Sequence, residues 1–436
     1  MQFGLDQCPN PLHESRMAGQ KDMAVKPLKV IVIGGGIAGI SAGLFLRADG
    51  HSVTLFEPDR PDKGTSSGNA GVVSIASCVP TATPSTIASV PSMLLNPHGP
   101  LMIRWQYLPQ LSPWLFRLFL NAAPWRVQRN ARKKATLLNH AYQNYEQILS
   151  HTGLSHMMRR PGLLTVFETN RAWKRAKWIV DLIKSVGREI EVLNEDEILQ
   201  VEPGLEPIFR HGFLTPESGH ILNPGKLMLS LHDAFSAEGG TTISERVLGI
   251  KDDQSEKVAI TTANGEFFAD RVVITAGTWS KQLLATIGVR VPLEAERGYH
   301  VMMKQPEPNL HHPINVFEDS MFLSPMEHGF RLTSGVELAN TEAPPDFTRI
   351  RRMIPRAVRA VKGLRGEQNQ IWMGYRPSMP DSVPRLGAVP GHENVFVGFG
   401  GGHIGMTLGP TIGKITADLI AGRETQVELT PYAIRP

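Results

Sequence analysis

The chain has 436 residues, 41% hydrophobic and 20% charged, with a formal net charge of +4. That length exceeds one ordinary hydrophobic core and points to two domains, while the small net charge argues against a nucleic-acid partner. Two cysteines, Cys8 and Cys78, exclude a disulfide framework or a cysteine-built metal site and fit a reducing, cytoplasmic setting.

Residues 1–27 lack the apolar centre of a signal peptide and read as a disordered lead-in. No later run reaches the ~18 consecutive apolar residues of a membrane span. "LKVIVIG" (28–34) is apolar without alternation, the pattern of a strand covered on both faces. "GISAGLFLRADG" follows at helical spacing and stops at Gly50, and "HSVTLFE" (51–57) is a second strand, giving a parallel strand–helix–strand unit. The polar loop "DKGTSSGNAG" (62–71) comes next, then a proline-broken stretch of short helices and turns from Pro80 to Pro124. Its segment "MLLNPHGPLMIRWQYLPQLSPWLFRLFL" is expected in the core of a substrate domain, the alternative being a surface that touches a membrane.

Periodicity predicts amphipathic helices over 131–151 and 170–187. The basic clusters 126–134, 171–178 and 349–359 read as solvated faces. Alternation then predicts strands and a hairpin turning at Asn264-Gly265, a buried strand "DRVVITAG", and an antiparallel sheet from "GYHVMMK", "INVFEDSMFLSP" and "GFRLTSGVEL". Near the end, "NVFVGFGGGHIGMTLGPTIGKITADLIAG" repeats the opening order of strand, glycine turn and helix.

Gly34, Gly36 and Gly39 form G-x-G-x-x-G between a predicted strand and a predicted helix. In that context the first glycine permits the tight turn, the second lets main-chain N–H groups approach a pyrophosphate, and the third lets helix lie close on strand. Glu57, about twenty residues on, suits an adenosine ribose and would repel a 2′-phosphate, which disfavours NADP. The later buried strand and the C-terminal glycine turn read as further walls of one large site, favouring FAD over NAD.

On these pieces, with "TSSGNAG", "VVITAGTWS", "RGYHV" and "WMGYRPSMPDSVPRLG" in the same order, the chain resembles the FAD-dependent D-amino-acid oxidase superfamily, bacterial D-amino-acid dehydrogenases most of all. The resemblance implies a mixed α/β and α+β fold: a Rossmann-like FAD-binding domain (28–80, 205–290 and 375–436) interleaved with a substrate domain (81–204 and 291–374) built on an antiparallel sheet with helices. FAD would be noncovalent, since no cysteine follows Cys78 to anchor it.

Carried over residue by residue, the cofactor contacts would be Gly34, Gly36, Ile37, Ala38, Gly39 and Glu57, then Thr65, Ser66, Ser67, Asn69, Ala70 and Gly71 in the loop. Val247, Ala276 and Gly277 would follow, with Gly402, His403, Gly405, Met406 and Thr407 in the closing turn. Arg376 of "GYRP" would fork onto a substrate carboxylate, and either Tyr299 or His300 would face the substrate, because strand alternation sends neighbours to opposite sides. The implied reaction is oxidation of an amino or imino acid by hydride transfer to flavin N5, with a 2-oxo acid and ammonia released after hydrolysis. Quinone, another carrier or oxygen would reoxidise the flavin, with peripheral contact at the inner membrane an accompanying possibility. No metal site is expected: the histidines are scattered, and His311-His312 sits in a proline-flanked loop.

Overall fold

The computed structural model describes residues 26–95, 101–253 and 256–435, so residues 1–25 of the expected lead-in, with Cys8, lie outside the described residues. Two large sheets organise the described chain. The first runs in the order Thr241–Ile243, Ser52–Phe56, Lys29–Ile33, Arg271–Ile274, His392–Phe399 and Arg385–Val389, parallel throughout except for the last strand. Val30 and Val32 join an apolar cluster with the opening helix, Ile37–Ala48, whereas Ile31 and Ile33 join Val258 and Ile260 on the other face. Both faces are covered, so the strand has no polar side to alternate with.

The second sheet runs Gln368–Ser378, Glu294–Met303, Gly329–Leu338, Met321–Met326, Ile314–Val316, Leu163–Phe167, His211–Thr215 and Glu191–Asn194, with Leu101–Ile103 added beside Gly329–Leu338. It is antiparallel except where Ile314–Val316 meets Leu163–Phe167 and where Leu101–Ile103 meets Gly329–Leu338. Helix Thr348–Ala360 covers it through Ile350, Met353, Ile354 and Ala357, which pack with Leu332 and Val301. A parallel Rossmann-like sheet beside a mostly antiparallel one is the architecture expected.

Several local expectations need correcting. Strand His211–Thr215 lies inside a segment assigned to the FAD domain, yet it pairs in the second sheet with Leu163–Phe167. Strand Gln368–Ser378 runs unbroken across the expected boundary at 375. Ladder partners rather than chain order decide which sheet a strand joins. The helix expected over 131–151 is two helices, Pro124–Leu138 and Ala141–His151; Asn139 and His140 stay right-handed, but ψ of His140 opens to −3° and bends the chain. The hairpin loop is Ala263-Asn264, with Gly265 (φ +148°) already paired to Thr262.

Among its described residues, the apolar segment expected in the core is mostly half-buried or exposed. In helix Leu108–Asn121 only Leu111 and Trp114 are buried, and Phe116 and Phe119 are exposed, as is Trp105 just before it.

The closing helix, Gly405–Ile420, lies directly on the opening helix. A Cβ on Gly413 would come within 2.6 Å of Ala42 N, and one on Gly409 within 2.5 Å of Ile37 Cγ2. Backbone cannot yield as a side-chain tip can, so Gly413→Ala should destabilise the fold by about 1–3 kcal/mol. Gly405→Ala, whose Cβ meets nothing within 4 Å, should stay within about 0.5 kcal/mol of the parent. Denaturant unfolding of the two variants checks the contrast; equal midpoints would mean that the helices do not depend on this close approach.

Candidate cofactor and substrate site

A cavity of about 790 Å³ opens between the two sheets. The turn after Lys29–Ile33, the loop 63–70, the segment 245–248, the turn 275–279, the closing turn 400–407 and residues 372–379 of the second sheet all border it.

The three motif glycines do different things. Gly34 has φ +102°, and a Cβ there would lie 2.6 Å from Thr275 O. At Gly39 a Cβ would fall 1.8 Å from Gly34 O, so this glycine permits the helix to close on the turn and does not border the cavity. A Cβ on Gly36 would meet nothing nearer than Ser66 Oγ at 3.4 Å, and Gly36 does border the cavity. Thr275, which the motif does not reveal, pins the turn by donating to Ile33 O and Gly34 O, both at 3.0 Å. His232, from helix Pro224–Ala237, holds the other side by donating Nε2–H to Gly35 O at 2.9 Å, and burial lowers its pKa so that it stays neutral.

Glu57 borders the cavity, as the ribose role requires. Its carboxylate is oriented by Gly35 N–H at 2.6 Å and Asp59 N–H at 3.2 Å, and burial raises its pKa. In the loop, Ser66 Oγ accepts from Ile37 N–H at 3.0 Å, which satisfies one orphan donor of the opening helix. The Thr65 hydroxyl donates to Tyr375 O (3.1 Å) and accepts from Tyr375 N–H (3.2 Å), tying the loop to the second sheet. Asn69 Oδ1 accepts from Gly71 N–H at 2.8 Å.

Two loop residues leave the expected set. Ser67 is buried away from the cavity and donates to Pro61 O at 2.6 Å. Gly71 (φ +78°) is a turn residue packed on strand Gly219–Ile221, where a Cβ would meet Ile221 O at 2.3 Å. Ile37, Ala38, Ala70, Val247, Ala276, Gly277, Gly402, His403, Gly405, Met406 and Thr407 all border the cavity. Thr407 Oγ1 accepts from Ser74 N–H at 3.1 Å and keeps its own proton to donate.

Arg376 lies on the second-sheet side of the cavity. Its guanidinium rests against Gly298, where a Cβ would fall 2.2 Å from Nη2, and Nη1 donates to Gly335 O at 3.1 Å. Among the described residues no carboxylate comes within ion-pair distance of it. Glu296, which the sequence reading passed over, is buried nearby and accepts from His403 Nε2 at 2.7 Å. Burial would raise the Glu296 carboxyl, but the His403 hydrogen bond and the neighbouring Arg376 charge outweigh it and hold it below the usual range. Neither Tyr299 nor His300 offers a free polar group to the cavity: Tyr299 contributes to its lining, but its ring packs on Phe347 and its hydroxyl is donated to Glu337, and His300 lies behind the lining residues Trp372 and Gly68. His300 stacks on Trp372 at 5.0 Å and donates Nδ1–H to Gly68 O at 3.0 Å. Trp372 in turn occupies a notch that a Cβ on Gly68 or Gly374 would fill.

The residues fit a dinucleotide. Gly36 offers main chain without a side chain, and the opening and closing helices both begin at the cavity without a side-chain cap from their own N-cap residue and without an acidic residue in the first turn. Uncapped helix N-termini favour phosphate or other negative charge. No metal-binding cluster of His, Cys, Asp or Glu occurs among the described residues.

Comparison with known proteins agrees with this reading. The model of a family described as FAD dependent oxidoreductase (DAO) matches residues 29–419. A D-amino-acid oxidase of Bradyrhizobium diazoefficiens is 32% identical over 93% of this chain and 97% of its own length. A D-amino acid dehydrogenase 2 of Mesorhizobium japonicum is 27% identical over 92% and 98%. Among solved structures, glycine oxidase from Geobacillus kaustophilus superposes with a TM-score of 0.73 at 22% identity, covering 94% of this chain and 98% of that one.

Two outcomes follow from this geometry. Gly36→Val should fold with wild-type stability yet emerge colourless and bind added FAD at least about tenfold more weakly, as read by flavin fluorescence quenching. Normal flavin content would place the pyrophosphate elsewhere. Burial lowers the His300 pKa to about 3, with Arg331 adding to it. The unfolded chain therefore binds this proton from about pH 6.5 downward while the folded one does not, and roughly 2–3 kcal/mol of stability should be gone by pH 4.5. His300→Asn, keeping the donor to Gly68 O, should flatten that acid slope in denaturant titrations; an unchanged slope would show that His300 is not its source.

Proposed function

Because this chain belongs to the FAD-dependent oxidoreductase family DAO, we propose that it oxidises the carbon–nitrogen bond of a small amino acid, D-amino acids being the class. The carrying observation is Arg376: a guanidinium on the cavity wall whose only hydrogen-bond partner among the described residues is one backbone carbonyl. Two relatives matched nearly end to end are a D-amino-acid oxidase and a D-amino acid dehydrogenase, which supports the same substrate class.

The turn 34–38 and the closing turn would hold FAD, which when bound would supply the two-electron oxidant for the substrate carbon–nitrogen bond. Arg376 receives the substrate carboxylate as a planar pair of donors, fixing its orientation as well as neutralising it. The carbonyl of Gly335 holds one arm of the guanidinium, and the absence of a side chain at Gly298 leaves the room it occupies. Glu296 offsets the Arg376 charge without occupying its donors, because its Oε2 is committed to His403. Phe213, Phe317, Phe322 and Met373 give the cavity an apolar wall against which a substrate side chain packs and from which water is displaced. No residue need act as a dedicated base if the amine binds neutral. Hydrolysis of the released imine to the 2-oxo acid and ammonia needs only water.

Anaerobic bleaching of the flavin is the test. D-amino acids should reduce it, while 2-hydroxy acids, which carry the same carboxylate, should not; reduction by hydroxy acids alone would replace the amine reading. Repeating the assay in air and with an artificial acceptor separates oxidase from dehydrogenase. Arg376→Ala should keep its flavin and raise the apparent KM for the bleaching amino acid by roughly 10²-fold, the loss of a bidentate charged contact. Unchanged kinetics would remove Arg376 from the site.

A further inference from the structure

The face of the second sheet that floors the cavity carries a row of residues in register. Thr165, Asn315, Phe322 and Thr333 stand opposite one another on four neighbouring strands, with Phe213 next beyond Thr165, and all five border the cavity. Their chain neighbours Leu164, Ile314, Leu323 and Leu332 belong to the core on the opposite face, as strand alternation requires. Three of the row are polar, and none of the three is engaged. Thr333 Oγ1 is buried without a hydrogen-bond partner, and the side chains of Thr165 and Asn315 also have none among the described residues. Phe213, Phe317 and Phe322 border the cavity around these groups, and in such apolar surroundings an unpaired hydroxyl or amide is costly. Gly335, whose carbonyl holds the Arg376 guanidinium, lies two residues from Thr333 on the same strand. Asn315 lies two strands farther, about 10 Å across the floor.

We propose that Asn315 and Thr333, with Thr165 beyond them, bind the substrate side chain, and that the substrate is an amino acid whose side chain is polar and uncharged, a carboxamide being the best match. The inference rests on the carbon–nitrogen oxidation reading and deepens it by naming the side-chain class. A carboxylate seated on Arg376 and a short chain ending in an amide, with a hydrogen bond at each end, covers the distance to Asn315. An amide brings both a donor and an acceptor, which the Asn315 amide answers head to tail, while the two threonine hydroxyls serve either need. An apolar side chain of the same shape fills the same space but leaves these groups unpaired, and a site of that kind discriminates more strongly than an apolar pocket does. The row contains no carboxylate to hold a cationic side chain and no cation to hold an anionic one.

The flavin-loaded, full-length protein is titrated with two amine-free carboxylates of one shape, succinamate and 4-methylpentanoate, and binding is read from the perturbed flavin spectrum. Succinamate should bind at least about tenfold more tightly. N315L should remove that preference and the isosteric T333V should weaken it, both with wild-type flavin content. In turnover, D-asparagine should exceed D-leucine in kcat/KM by at least about tenfold, and N315L should reverse the order. Equal binding of the two carboxylates, or a preference that survives N315L/T333V, overturns the side-chain assignment, and reduction of the flavin by D-leucine would then leave the amine reading standing. A succinamate preference that N315L removes, while neither amino acid reduces the flavin, upholds the subsite and overturns the amine reading instead. Loss of flavin from both variants would assign Asn315 and Thr333 to the cofactor and overturn the proposal.

Discussion

The structure depends on how closely main chain approaches main chain at the turn 34–39. Gly34 O sits where a Cβ of residue 39 would be, and Thr275 O where a Cβ of residue 34 would be. This crowding brings three elements together: the strand before the turn, the helix after it, and strand Arg271–Ile274, whose following Thr275 hydroxyl stitches the turn down. The closing helix adds the same device from the other side through Gly409 and Gly413. A turn packed so tightly has few alternatives, and its remaining N–H groups are left facing the cavity.

The second sheet reaches this centre through small residues too. Gly68 and Gly374 leave the notch that holds Trp372, and Gly298 leaves the space for the Arg376 guanidinium. Arg331, donating to Ser67 O at 3.3 Å and also to Asn69 O, draws the loop onto the sheet, while burial lowers its pKa to about 10. The loop 63–71 is therefore fixed from both sides, by Ser66 on the opening helix and by Thr65 and Arg331 on the second sheet. One loop thus transmits the position of the parallel sheet to the strand that carries Arg376.

What the sequence makes legible follows the range of the forces involved. The opening unit is readable because glycines 34, 36 and 39 recur at fixed spacing within six residues, even though the backbone that crowds Gly34 belongs to Thr275, and because a doubly covered strand shows continuous apolarity. The hairpin near 264 and the closing turn are legible because their glycines, too, stand between recognisable strand and helix patterns in the sequence. Thr275, His232 and Glu296 are not: each acts on a partner far away in the chain, and nothing in their neighbours marks them. Ser67 and Gly71 share a loop with wall residues and differ from them only in which way the chain faces. His300 is hidden behind Trp372 by strand alternation that the sequence permits in either register. The surface aromatics misread as core show the converse limit, since apolar content alone does not say which side of a helix has a neighbour.

The distribution of charge around the cavity gives these pieces a common sense. Lys134 is buried on its wall, donates to Val79 O at 2.8 Å and has no carboxylate within ion-pair distance among the described residues; burial lowers its pKa to about 8. With Arg376 and two helix N-termini, it places positive groups that have no ion-pair partner on a lining that also carries Glu57, Asp59 and Glu245. Two of the nearby carboxylates are already engaged elsewhere. Glu57 is turned onto Gly35 and Asp59 N–H groups at the end of the second strand, and Glu296 is paired with His403. A low-dielectric cavity with such a balance pays for its desolvated cations only when it holds anions. A diphosphate at one set of amides and a carboxylate at Arg376 are anions of the right kind, and the glycines keep the main chain open to both.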